Sequence, residues 1–160
     1  MAGVYITRLL ERGVPSTFAN IKALYCDPVK RVVIPELVHK LLESKEAENT
    51  QKNGDLPESI RWCLYFLAQH YDHYRTRDSE KALEYINRAI ESCPTVEAQM
   101  TLARIYKHMG DYQKAVGIMN KARETDLKDR FINSKCAKYQ LRNNCSDEAL
   151  RTMGLFTRVR

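Results

Sequence analysis

The sequence has 160 residues, 44% hydrophobic and 29% charged, with a formal net charge of +6 and a pI near 9.1. That length suits one compact domain or a few stacked repeats, and it buries roughly 70% of its unfolded surface without covalent staples. Six glycines and five prolines are too few for a turn-rich sandwich or barrel, and the alanine, leucine, glutamate, lysine and arginine content favours an all-α fold.

The opening "MAGVYITRLL" reads as an amphipathic helix from about Val4 to Arg12. It has no charged-then-apolar leader pattern, and it looks like an element of something larger rather than a natural amino terminus. "RGVPS" breaks the helix, and a second is expected from about Ser16 to Tyr25. A third starts at Asp27, a suitable N-cap with Pro28 at the first helical position. It runs through "VKRVVIPELVHKLLES", where Pro35 should kink or split it. Residues 1–44 are therefore expected to be irregular helical repeats. "KEAENTQKNGDLPE", Lys45 to Glu58, is polar and aperiodic and contains Asn-Gly, so it reads as a loop.

From there a repeat takes over. Leu64, Leu67, Ala68 and Tyr71 recur as Gln99, Leu102, Ala103 and Tyr106, and again as Asn133, Cys136, Ala137 and Gln140. Ala82, Ile86, Ala89 and Pro94 return as Ala115, Met119, Ala122 and Leu127, then as Ala149, Met153 and Phe156. The last two units are offset by 34 residues, and the first carries two extra residues in its turn, "DHYRTRD". This helix–turn–helix period resembles the tetratricopeptide repeat, with units at 59–94, 95–127 and a degenerate 128–160. The expected architecture is a right-handed solenoid segment of tandem helix hairpins. Small residues at Ala68, Ala103 and Ala137 let paired helices approach closely, and Leu67 and Tyr71 fill the groove between repeats. The third unit departs from the pattern, with Gln140 for the tyrosine and Asn144 for the turn glycine Gly110.

Cys26, Cys63, Cys93, Cys136 and Cys145 are odd in number, scattered and without C-x-x-C spacing. They read as buried free thiols of a reducing compartment. The chain lacks G-x-G-x-x-G, Walker A, H-E-x-x-H and G-x-S-x-G. His70 and His73, with Asp72 between them, have no third ligand at convincing spacing and read as a helix-surface pair rather than a metal site. Neither Cys26 nor Cys63 has an assignable histidine, and Cys63 beside Trp62 sits in a packing register. No catalytic residue is expected: a helix-pair array supplies a surface rather than chemistry.

That surface carries a cationic stripe. Arg104, Lys107 and His108 share one helix face by their spacing of three and four. Lys138 is the next unit's equivalent of Arg104, Lys135 lies one turn before it, and Tyr139 follows; Arg130 adds to the rim. The same positions of the first unit, Gln69 and Asp72, are not basic. Clustered cations repel one another, and a multivalent phosphate relieves the repulsion through charge-assisted hydrogen bonds. RNA, a ribosome surface, a phosphorylated small molecule or an acidic protein would also suit the net charge, against the plainer reading of a solvated basic surface.

The runs "TRLLERGVPSTFANIKALY", "LAQHYD", "ALEYINRAIESCPT", "IYKHMGDYQKA" and "DRFINSKCAKY" resemble the auxiliary, ribosome-anchoring subunits of the N-terminal acetyltransferase A complex. That resemblance implies a non-catalytic scaffold that wraps the catalytic subunit, reshapes its active site and holds it near the ribosomal exit tunnel in the cytoplasm. The complex acetylates nascent chains that have lost their initiator methionine. Acetyl-CoA binds only the partner subunit, and no intrinsic cofactor, membrane contact or sequence-specific nucleic acid is implied. It also implies inositol hexakisphosphate at the subunit junction, on Arg104, Lys107 and His108 of "RIYKH" and on Lys135 and Tyr139 of "SKCAKY". Family members are several times longer, and Arg104 stands where they commonly have lysine, which keeps the charge and changes the geometry.

Two alternatives remain at this stage. A co-chaperone-like peptide clamp needs asparagines and lysines at fixed positions, but Gln69 and Arg104 occupy two of them. A basic helical-repeat RNA binder needs free stacking rings, and most aromatic residues here fall in packing registers. If both ends of the array expose apolar helix faces, self-association in isolation is expected.

Overall fold

A computed structural model describes residues 2–49 and 56–157, and the described residues are helical with no strand among them. Two compact units divide the chain, Met1–Pro94 and Thr95–Arg160. The first contains α1 (Ala2–Glu11), α2 (Thr17–Ile21), a 3-10 turn (Lys22–Cys26), α3 (Pro28–Asn49), α4 (Glu58–Asp72) and α5 (Ser79–Ser92). The second contains α6 (Val96–His108), α7 (Tyr112–Glu124), α8 (Arg130–Arg142) and α9 (Ser146–Gly154).

In the first unit the core gathers Ile6, Leu10, Phe18, Tyr25, Ile34, Val38, Ile60, Trp62, Phe66 and Leu67 around α4. Phe18 meets Tyr25 and Phe66 edge to face, each pair 5.4 Å between ring centroids, the geometry that aromatic quadrupoles favour. The break after α1 has a steric cause. Gly13 has φ +68°, and a Cβ there would lie 2.7 Å from Trp62 Nε1 and 2.8 Å from Glu58 Oε1. Only glycine tolerates both the backbone and the crowding. Asp27 starts α3 as expected, its Oδ1 accepting from the amide of Val29 at 2.9 Å.

Two expectations for this unit are corrected. Pro35 does not split α3, which runs unbroken from Pro28 to Asn49 with Pro35 buried inside it. The polar stretch assigned to a loop from Lys45 is helical through Asn49; residues 50–55 lie outside the described residues. Aperiodic polarity misled here because glutamate, lysine and alanine are strong helix formers. Ion pairs outside the apolar pattern also hold this end of α3. Lys45 meets Glu11 at 3.8 Å and Glu48 at 3.4 Å, and Glu46 meets Arg88 of α5 at 2.5 Å.

The hairpins α4–α5, α6–α7 and α8–α9 obey the expected pattern. Ala68, Ala82, Ala89, Ala103, Ala115, Ala122, Ala137 and Ala149 are all buried, so each pair packs through small residues. Each turn is closed by the same backbone bond. The amide at the entrance of the second helix donates to the carbonyl at the tyrosine position of the first: Asp78 to Tyr71 at 2.8 Å, Asp111 to Tyr106 at 3.0 Å, Cys145 to Gln140 at 2.9 Å. The two extra residues of the first turn are looped out without losing it. In the other two turns the chain reverses through the left-handed region, at Gly110 (φ +86°) and Asn144 (φ +60°). Asparagine is among the few residues that substitute for glycine there.

Candidate anion-binding face

The candidate site lies in the second unit, on α6 and α8. Thr95 caps α6, its hydroxyl accepting from the amide of Ala98 at 3.3 Å. Ala98, Thr101, Ala103 and Ile105 turn inward and are buried. Arg104, Lys107 and His108 are half-buried. Asp129 caps α8, with Oδ1 accepting from Phe131 at 2.7 Å and Ile132 at 3.2 Å. Ile132, Asn133, Cys136, Ala137, Tyr139 and Gln140 are buried along it. Tyr139 joins the cluster of Ala103, Ala115, Val116, Met119 and Cys136, so its ring is fixed by packing.

Across the two helices, the ammonium of Lys107 lies 5.9 Å from the centre of the Tyr139 ring. Arg104 and His108 follow on the Lys107 face of α6. Lys135 and Tyr139 share a face of α8 by their spacing of four, yet the Lys135 ammonium sits over Phe131, 5.4 Å from that ring. Lys138 and Arg130 are exposed. The sequence reading missed Arg142, whose guanidinium carbon lies 6.0 Å from the Tyr139 ring centre. Its signal was available: Arg142 stands three residues after Tyr139, one turn along α8. Lysine and arginine at these distances are attracted by the ring quadrupole, which pre-positions donors without neutralising their charge. Lysine offers three N–H donors and arginine five, and neither has an acceptor. The arrangement can therefore gather acceptor-rich anions.

Two of the remaining readings are corrected, the surface histidine pair and the five buried thiols. His70 is no surface residue: it is buried, and its Nδ1 lies 2.9 Å from the Tyr25 hydroxyl. Only Cys63 and Cys136 are buried thiols; Cys26 is exposed, and Cys93 and Cys145 are intermediate. Burial pushes the Cys63 thiol up to about 12 and Cys136 up to about 11, the opposite of what activates a nucleophile. Among the described residues no group of histidine, cysteine and carboxylate side chains could hold a metal ion. None of the described helices is long and apolar enough to cross a membrane.

Hairpins joined through small residues, with a closing bond from the second helix to the first, define a tetratricopeptide-type helical protein. The whole chain, residues 1–160, matches the family described as N-terminal acetyltransferase A, auxiliary subunit, and the chain belongs to that family. It is 44% identical over 154 residues to N-alpha-acetyltransferase 16, NatA auxiliary subunit, of Mus musculus, covering 92% of this chain and 18% of that protein. It is 38% identical over 158 residues to the N-terminal acetyltransferase A complex auxiliary subunit NAA15 of Arabidopsis thaliana, covering 96% and 17%. Among solved structures, one described as Naa15/Naa10 bound to HypK-THB matches with a TM-score of 0.90 and 48% identity, over 98% of this chain and 23% of that one. The chain thus spans less than a fifth of the length of these curated relatives.

Proposed function

We propose that this chain forms part of a non-catalytic scaffold that binds and positions the catalytic subunit of an N-terminal acetyltransferase for co-translational acetylation of nascent chains. In this reading an inositol polyphosphate occupies the α6–α8 face at the subunit junction, and acetyl-CoA stays on the partner. Family membership supports the scaffold role, since an auxiliary subunit acts beside a catalytic one. Ribosome contact and cytoplasmic residence belong to the same reading and come from the family resemblance. The observation that carries the anion site is the meeting of Lys107 and Arg142 on the one ring of Tyr139. Cations held together in this way favour a ligand with several phosphates over a single charge, because each phosphate oxygen accepts a charge-assisted bond.

Calorimetry tests this. The chain is titrated at physiological salt with inositol hexakisphosphate and, separately, with a mixed-sequence RNA oligomer, then again as Lys107→Ala and Lys135→Ala. Selective binding of the inositol phosphate, lost in both variants, is expected. Equal weak binding of both anions, unchanged by substitution, would leave only a basic surface. Co-precipitation with the catalytic acetyltransferase subunit, with and without inositol hexakisphosphate, then tests the junction.

A further inference from the structure

The turn between α4 and α5 is longer than those of the other two hairpins and reads "DHYRTRD", Asp72 to Asp78. It is an ordered projection. The amide of Thr76 donates to the His73 carbonyl at 3.0 Å, and the Thr76 hydroxyl donates to the His70 carbonyl. His73 anchors it from within, its ring 5.9 Å from Phe18 and 5.2 Å from Tyr25. Those contacts seat the turn against α2 and the 3-10 turn, where Lys22 is exposed.

Tyr71 and Tyr106 pack against the cores of their units, whereas Tyr74 falls outside the repeat positions and is 67% exposed. The Arg75 guanidinium lies over its ring, 4.9 Å from the centre, and Arg75 Nε donates to its hydroxyl at 2.7 Å. Arg77 donates to the backbone carbonyl of Asp72 at 3.2 Å. Both acceptors are uncharged oxygens, so neither bond cancels the charge of its arginine, and both arginines are exposed. The cations converge around His73. Burial lowers its imidazole, and Arg75, Lys22 and Arg77 lower it further against the opposing pull of Asp72. Of the two carboxylates in the turn, Asp72 is buried and Asp78 pairs with Lys81 at 3.5 Å. The outer surface is thus an exposed ring among three cations.

The ring decides the ligand class. An inositol phosphate or a run of glutamates would meet the cations and leave Tyr74 idle. A nucleotide strand uses both, because a base stacks on the ring while the flanking phosphates take charge-assisted bonds from the cations. In a duplex the bases are already stacked and paired, so only an unpaired strand offers a free base face. We propose that the Asp72–Asp78 turn binds single-stranded nucleic acid, with a base on Tyr74 and phosphates on Arg75, Arg77 and Lys22. Every base has a face to stack, so the site has no sequence requirement. It belongs to the first unit, whereas the anion face belongs to the second, and it does not rest on the scaffold reading.

The test uses the chain carrying Lys107→Ala and Lys135→Ala, so that the anion face contributes nothing. It is titrated into a labelled oligouridylate about twelve nucleotides long and followed by fluorescence anisotropy. Unlabelled oligouridylate and oligothymidylate should both compete, and the tighter of the two names the natural strand. An abasic strand of the same length keeps the phosphates without the bases and should compete about fivefold or more weakly. Tyr74→Ala should abolish that preference for bases, and Tyr74→Phe should keep it. Arg75→Ala with Arg77→Ala should flatten the slope of log affinity against log salt by about 1.4, at about 0.7 for each phosphate contact. An abasic strand or a polyglutamate competing as well as oligouridylate would overturn the proposal, as would a Tyr74→Ala chain that still prefers bases.

Discussion

The hydroxyl of Tyr25 and Nδ1 of His70 face each other at 2.9 Å in the core of the first unit, and both residues are buried. Burial holds the His70 imidazole down at about 4, helped by the nearby His39, His73 and Lys81, and lifts the Tyr25 phenol above its ordinary range. Both groups are thus neutral at pH 7. His39 and His73 are also lowered, chiefly by burial.

This makes the first unit acid-labile in a defined window. The unfolded chain binds a proton at His70 near pH 6.5, while the folded chain resists until about pH 4. The unfolded state therefore holds more protons in between, and stability falls as pH drops through that range. A shift of this size corresponds to about 3 kcal/mol. Urea unfolding followed by the fluorescence of Trp62 should show the loss between pH 6.5 and 4. His70→Gln should flatten the slope.

The turns separate backbone demand from side-chain space. Nothing lies within 4 Å of a Cβ placed on Gly110, so Gly110→Ala meets no clash, only the cost of φ +86°. A loss of about 1–2 kcal/mol is expected. Gly117, inside α7 and equally open, carries no such demand, so Gly117→Ala should stabilise by about 0.5–1 kcal/mol. Urea titrations monitored by circular dichroism give both signs.

At the anion face, loss of a charge-assisted bond from Lys107 or Lys135 should cost about 1.5–3 kcal/mol of inositol hexakisphosphate affinity. Arg142→Ala should weaken binding too, whereas Lys138→Ala, on an exposed side chain, should act only through net charge and fade with added salt. Calorimetry at two ionic strengths distinguishes the cases.

Thiol labelling should follow burial. Cys26 is exposed and should react first with a disulfide reagent at pH 8. Cys63 and Cys136, raised by burial to about 12 and 11, should react only when the chain opens. Mass spectrometry of the labelled peptides reads the order; early labelling of Cys63 would contradict the packing around Trp62.

Local pattern determined much of this protein. The alanine, leucine and tyrosine spacings from Leu64 to Ala149 specify three helix hairpins, because a helix repeats its faces every three to four residues and only small residues allow close pairing. Arg104, Lys107 and His108 share a face for the same reason. Long-range contacts decided the rest. The ion pairs of Lys45 with Glu11 and of Glu46 with Arg88 join residues distant in sequence. Tertiary packing placed Lys107 of α6 and Arg142 of α8 on the one ring of Tyr139. It also buried His70 against Tyr25. Sequence spacing sets which side chains share a helix face; which faces meet depends on how the helices pack in three dimensions.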